Sequence, residues 1–363
     1  MNNPSMKNSR ILSLNLGGLG DLITTLPVLS ALSNAGASIT SLVWPALEEL
    51  ALCIPCIDTV LGLTRQQEND PQLSELISGL AGTRGFDLVL DFAFPPRAGI
   101  ITRAAGGRRT LGFNIDREAC PWYTANFPNL PDEHRLERNL KLLDYLGFER
   151  PAVPDFPMTF SGRALARLED LLEYHGLCLR RDRPIALHPG SGVSKRNWPA
   201  ERFAALADRL AAHTGRRVLL LGGRGRTYDG TDESELVRRV QAAMQTAPVN
   251  LAGELSLPEL ACLLRYCSLF VGNNSGPAHL AATIARTPAL LVWAPRNEKI
   301  WRPVGPKVEL LFAETFCRDD CLLNRCDNIQ YCLNLIPVEE VFERYLSAFA
   351  AGGQYTQAAG ERR

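Results

Sequence analysis

Short β-rich apolar runs alternate with longer stretches of helical period along this chain, and they do so twice. The early runs are 11–16, 39–44 and 88–92, and the late ones are 185–188, 218–222, 269–272 and 289–293. Between the late runs lie amphipathic segments such as 199–213, with Phe203, Leu206, Ala207 and Leu210 on one stripe, and 257–267. Continuous apolar strands separated by helices are the mark of parallel sheets covered on both faces. The expected fold is therefore α/β, with two doubly wound sheets facing across a cleft. A chain of 363 residues is also too long for one ordinary core. The boundary is expected near 180–184, where Arg180, Arg181, Asp182 and Arg183 end a helix over 163–174 and Pro184 opens the next strand. This gives a first domain over 10–180, a second over 184–336, a final helix over 337–349 and a small, polar tail over 350–363.

The 39 basic and 39 acidic side chains cancel, which excludes the global field that holds nucleic acid; an anionic partner must meet a local patch. No apolar run reaches the roughly 18 residues that span a bilayer. Lys7 and Arg10 before the apolar stretch 11–20 imitate a secretory signal, but Asn15 interrupts it and Asp21 ends it without a cleavage site. Ten cysteines diluted in so long a chain, several in apolar segments, point to a reduced, cytoplasmic protein.

Three segments carry chemistry, and each follows a strand and precedes a helix. The first is Gly17-Gly18-Leu19-Gly20-Asp21, between strand 11–16 and a helix over 22–32. Its spacing is not that of a dinucleotide fingerprint, and no Lys followed by Ser or Thr closes it as a phosphate loop. Asp21 has two readings. As a helix cap its pKa would fall; as a general base it would take the proton of an attacking hydroxyl. The residues alone leave both open.

The second segment, His188-Pro189-Gly190-Ser191-Gly192, leads into Lys195-Arg196-Asn197-Trp198-Pro199. Small residues with free amides, two cations and a helix start make a diphosphate cradle, or else a solvated surface loop. The third, Gly272 to Ala282, contains Asn274, Ser275, Gly276 and His279. Asn274 and Ser275 are expected to cap the helix, with the amides of Ser275 and Gly276 free for a phosphate oxygen. His279 is open to a core or a ligand-facing role.

In this order the three segments resemble the ADP-heptose:lipopolysaccharide heptosyltransferase family, whose pattern pairs an N-terminal strand, glycine loop and Gly-Asp with P-G-S-G, K-x-W-P and D-[ST]-G-x-x-H-L-A-A. The likeness spans about 10–350 and includes Arg108 to Phe113 and His134-x-x-Glu137-Arg138-Asn139. It implies two Rossmann-like domains of the GT-B type and inverting transfer of heptose from a nucleotide sugar, with no cofactor or metal required. Asp21 would correspond to the base. Gly20, Ser191, Gly192, Lys195, Arg196, Asn274, Ser275, Gly276 and His279 would form the donor site. The first domain would bind acceptor, the second donor, and the final helix would cross back onto the first. Two departures bear on the donor: Asn274 stands where the family often has Asp, and Arg196 where it has Lys.

Arginines crowd the first half. Arg97 and Arg103 read as an acceptor patch for an anionic glycolipid, which suits peripheral contact with the inner membrane face, or as a solvated surface. Cys317, Cys321, Cys326 and Cys332 form C-x3-C-x4-C-x5-C, open to a structural metal or to a disulfide. The alternatives are a transferase of this fold with another nucleotide sugar, or a non-catalytic sugar-nucleotide-binding protein.

Overall fold

The computed structural model describes residues 4–64, 85–93, 105–114, 120–130, 132–152, 156–223, 230–293, 298–312 and 329–350, with isolated positions between them. The first sheet holds β1 (Arg10–Asn15), β2 (Ser38–Val43), β3 (Thr59–Gly62), β4 (Leu88–Asp91), β5 (Arg109–Phe113) and β6 (Ala125–Phe127). Every pairing is parallel, in the order β3-β2-β1-β4-β5-β6. The second holds β7 (Ile185–His188), β8 (Val218–Leu220), β9 (Val249–Asn250), β10 (Leu269–Asn273), β11 (Ala289–Val292) and β12 (Val308–Leu311), in the order β12-β11-β10-β7-β8-β9. Numbered from its own first strand, the second sheet repeats the order of the first. Both are the two-domain α/β sheets expected.

In each sheet the order reverses at the centre, between β1 and β4 and between β7 and β10. Open α/β sheets bind ligands in that crevice, beyond the carboxyl ends of the strands. The three motif segments follow β1, β7 and β10 (15, 188 and 273 being the last strand residues), so the topology carries all three to switch points.

The helices that frame the crevices are α1 (Leu19–Asn34), α2 (Pro45–Ala51), α3 (Arg135–Leu146), α4 (Gly162–Tyr174), α5 (Ala200–Thr214), α6 (Glu233–Ala243), α7 (Leu257–Leu264), α8 (Gly276–His279) and α9 (Val338–Tyr345). Helix α1 is apolar nearly all round, the signature of a helix buried on every side. Its Leu22, Leu26 and Leu29 enter the core of the first sheet with Ile11 and Leu90, whereas Ile23 enters that of the second with Ala278 and Leu280. One helix thus serves both domains.

Three expectations are corrected. Helix α1 begins at Leu19 rather than residue 22, which places Asp21 inside its first turn. Helix α4, expected to close the first domain, buries Leu168 and Leu172 against Ala186, Leu219 and Leu263 of the second. The change of core therefore falls before α4 and not at 180–184. Helix α9 does not cross back. Val341 and Tyr345 pack with Phe203, Leu206 and Leu210, Arg209 lies 4.4 Å from the Phe342 ring centroid, and Arg209 pairs with Glu339 at 3.1 Å. The amphipathic stripe of α5 supplies the apolar surface that α9 needs, within the same domain. Residues 351–363 lie outside the described residues, as do Cys317, Cys321 and Cys326; Cys332 is buried.

Candidate active site

The first loop is shaped around one carboxylate. Strand β1 ends in Asn15, whose buried amide donates to Ser13 Oγ and Ser41 Oγ at 2.8 Å, and the Trp44 indole donates to the Leu16 carbonyl at 2.8 Å. The chain then turns through Gly17 and Gly18 into α1. Asp21 Oδ2 accepts the Gly18 N–H at 2.8 Å, folding the side chain back over the loop. A Cβ on Gly17 would fall 2.6 Å from Asp21 Cβ and Cγ, so only glycine permits that fold. The cap reading of Asp21 is therefore realised. Burial raises its pKa, opposed by the Gly18 N–H and by the charges of Arg135 and Arg138, and burial wins. A capped carboxylate with a raised pKa is a stronger base than a solvated one.

Helix α3 supplies the charges behind Asp21. His134 caps it, accepting the Leu136 N–H at Nδ1 (3.2 Å). Arg138 is buried, with its guanidinium 4.1 Å from the Phe113 ring centroid and donating to Asn139 Oδ1 at 2.9 Å and to the Phe92 carbonyl at 3.4 Å. Burial, then the repulsion of Arg135, hold its pKa down to about 9. Asn139 in turn donates to the Thr24 carbonyl of α1 at 3.1 Å, tying α3 to α1. At the end of β4, Asp91 is fully buried and accepts the Tyr123 hydroxyl; burial pushes it up to about 7. The Tyr123 ring reaches it across Gly112, where no side chain would fit.

In the second domain the loop after β7 is held from below. His188 Nε2 lies 3.2 Å from Glu233 Oε1, and Glu233 also accepts the Gly223 N–H. Burial opposes ionisation of Glu233, but His188 and the Gly223 N–H outweigh it and hold the carboxyl at about 2. Gly190 passes so close to Glu233 that a Cβ there would overlap the carboxylate. Ser191 Oγ lies 2.7 Å from both Val193 O and Asn197 Oδ1. A turn of 3-10 helix, Ser194–Arg196, follows, and burial lowers the Arg196 pKa. The side chain of Lys195 lies outside the described part of the chain. Trp198 is wholly buried, its N–H donating to Asn273 Oδ1 at 3.1 Å, and Asn273 Nδ2 donates to the Pro189 carbonyl at 2.6 Å. Asn273 thereby locks the second motif to the third.

In the third motif Ser275 stands at the N-cap of α8, but its hydroxyl makes no capping bond. That corrects the expected side-chain cap: the Oγ is buried without a hydrogen-bond partner. A turn of π-helix, Leu280–Ile284, continues α8. His279 is buried and pushed down to about 4, by burial first and then by His134, so its ring is neutral at neutral pH.

The first and third motifs meet across the cleft. A Cβ on Gly20 would fall 2.9 Å from His279 Nε2, and a Cβ on Gly276 would fall 2.9 Å from Leu19 Cβ. Glycine against side chain in both directions brings Leu19 and Gly20 against Gly276 and His279, while Ser191 and Arg196 lie in the segment that follows β7, the strand beside β10. Arg97 and Arg103 lie outside the described residues. Arg135, Asp91, Tyr123 and Glu233 were not singled out from sequence, whereas Arg138 and His188 stood in quoted motifs without a role of their own.

Two Rossmann-like sheets with their switch points opposed are the two-domain GT-B architecture. Comparison with known proteins agrees. The model of "Glycosyltransferase family 9 (heptosyltransferase)" matches residues 77–329, and the chain belongs to that family and is a glycosyltransferase. It is 24% identical over 332 residues to lipopolysaccharide heptosyltransferase 3 of Escherichia coli, covering 89% of this chain and 94% of that one. Among solved structures, the glycosyl transferase family 9 protein from Veillonella parvula superposes with a TM-score of 0.83 at 22% identity, covering 97% of this chain and all of that one. E. coli ADP-heptose lps heptosyltransferase II gives 0.74 at 18% identity, with 94% and 99% covered.

Proposed function

We propose that this enzyme transfers heptose from ADP-heptose to a lipopolysaccharide core acceptor with inversion, Asp21 acting as the base. The observation that carries the reading is the meeting of Gly20, next to Asp21 in the first turn of α1, with His279 at the end of α8. The names of relatives support the substrates: lipopolysaccharide heptosyltransferases among the similar sequences, and E. coli heptosyltransferase WaaC "with ADP" among the similar folds.

In this reading the acceptor oxygen attacks the anomeric carbon, the bond from that carbon to the diphosphate breaks, and Asp21 takes the hydroxyl proton. The nucleoside diphosphate leaves with the bonding electrons, stabilised by Lys195 or Arg196 and by the backbone amides of Ser191, Gly192, Ser275 and Gly276. Asn274 and the neutral His279 face the donor as hydrogen-bonding groups. Arg97 and Arg103 meet the anionic acceptor. No cofactor is called for. Among the described residues no helix is long and apolar enough to cross a membrane. In this reading an anionic glycolipid acceptor brings the enzyme to the inner membrane face from the cytoplasm, in peripheral contact.

Asp21→Asn is expected to retain ADP binding and lose transfer by at least a hundredfold, about the usual contribution of general-base catalysis; transfer within a few-fold of the parent refutes the base. Asn274 and Arg196, where the family has Asp and Lys, favour testing a second donor class. A thermal-shift panel of ADP-, UDP- and GDP-sugars separates them, and stabilisation by UDP-sugars alone would sink the ADP-heptose reading.

A further inference from the structure

The start of α3 grips the opposite domain. His134 Nε2 lies 2.7 Å from the Arg302 carbonyl, while Nδ1 accepts the Leu136 N–H, so one neutral tautomer serves both contacts. The next residue, Arg135, lays its guanidinium 4.9 Å from the centroid of the Trp301 ring and donates from Nη1 to Asn129 Oδ1 at 2.8 Å. The same guanidinium attracts Asp21 and Glu133. A half-buried charge of the first domain thus touches an aromatic ring of the second and acts on the loop carboxylate between them.

We propose that Arg135 is a positioning residue for Asp21 and that Trp301 sets it: closing the cleft stacks the Trp301 ring on the guanidinium and fixes the positive charge beside the base. The proposal rests on the reading of Asp21 as base. With the cleft open the ring departs, the guanidinium regains its rotamers and its water, and its field at Asp21 is screened. Planar stacking on tryptophan is what a guanidinium does well and an ammonium does poorly. The groups facing Asp21 are Arg135 and Arg138 from α3 and, through Gly20, His279 from α8; Glu133 faces Arg135. Arg138 is anchored within the first domain by Phe92, Phe113 and Asn139, whereas Arg135 lies against a ring of the second. His279 is neutral at neutral pH. Arg135 is therefore the charge whose surroundings change when the domains meet, and over a closed site it opposes the effect of burial and keeps the carboxylate ionised and ready to accept a proton.

The test measures transfer against pH at saturating donor for Trp301→Leu, Trp301→Phe, Arg135→Met and Arg135→Lys, with ADP affinity by calorimetry and thermal unfolding for each. Losing the charge raises the pKa of the base, so the acidic limb of kcat moves upward. Trp301→Leu and Arg135→Met are expected to move it by about half to one pH unit. Trp301→Phe and Arg135→Lys are expected to move it less, and ADP affinity stays within about threefold in all four, because the stack acts on the base and not the donor. A double Trp301→Leu/Arg135→Met variant shifts no further than either single change. An acidic limb that stays put while kcat falls evenly across pH overturns the proposal. So does a Trp301→Leu variant that loses ADP affinity as steeply as turnover, since Trp301 would then be a donor contact. Transfer surviving in Asp21→Asn overturns the base reading and this proposal together, whereas transfer lost there with unmoved limbs here overturns this one alone.

Discussion

Gly20 offers the most direct probe of the cleft, because its contact belongs to the closed pair of domains and to neither alone. Alanine at this position puts a Cβ 2.9 Å from His279 Nε2 and Cδ2, closer than real Cβ contacts come. The ring cannot simply swing aside: His279 is 4% exposed, on a one-turn helix between buried Ala278 and Leu280. Overpacking of this kind costs about 1–3 kcal/mol when it must be absorbed in place. Here opening the cleft relieves it, so the cost falls on the population of the closed state. Gly20→Ala should therefore lose about five- to 150-fold in kcat/KM, that energy converted to rate, with little change in the melting temperature of the unliganded protein. Gly162→Ala is the control, since a Cβ there meets nothing within 4 Å and it lies in the first turn of α4. It should leave turnover unchanged and hold or slightly raise stability. Steady-state transfer and thermal unfolding read both variants. Parental turnover in Gly20→Ala would refute the close approach of the two loops, and a large fall in melting temperature would show that the contact belongs to the folded core and not to closure.

Three further outcomes follow from the buried groups. Asp91, held up to about 7 by burial, binds its proton more tightly in the folded than in the unfolded chain, so it supports stability below about pH 4 and loses that support as pH climbs through 7; the melting temperature of Asp91→Asn relative to the parent should rise across that window, and a flat difference refutes the assignment. Glu233 has the opposite sign: at about 2 when folded, its ion pair with His188 supports stability above the unfolded value and is lost as pH falls towards 2, so Glu233→Gln should flatten the acid limb of unfolding between about pH 4.5 and 2. Trp198 is wholly buried and donates its indole N–H to the Ile336 carbonyl at 3.0 Å, so Trp198→Ala should cost about 3–5 kcal/mol in urea unfolding.

What sequence could and could not reveal follows from the range over which each signal acts. Strands β1, β2, β4, β7, β8, β10 and β11 were legible because burial on both faces demands unbroken apolar runs. The outer strands β3, β5, β6, β9 and β12 were not picked out: two to five residues long, they carry Thr59, Arg109, Asn126, Asn250 and Glu309, and short runs diluted in this way lose their period. The stripes of α4 and α9 announced that each helix packs, but an apolar stripe does not name its partner, and both helices went to the second domain where sequence adjacency or resemblance suggested the first.

The site divides in the same way. Glycine loops show in sequence because backbone geometry restricts the residue type locally, and Gly17, Gly20 and Gly276 are all fixed by contacts that a side chain would destroy. Arg135 carries no local signal and Arg138 is marked only by the resemblance, because charges spaced along an amphipathic helix look like a solvated face. The Asn139 bond to Thr24, 115 residues away, and the Arg138 bond to the Phe92 carbonyl turn that face inward. Asp21 itself joins the two scales. Its cap to Gly18 is local and lowers its pKa, whereas its burial depends on helices gathered from distant parts of the chain and raises it. The balance that raises the pKa of this carboxylate is thus set by the tertiary fold, and for that reason the residues alone left cap and base equally open.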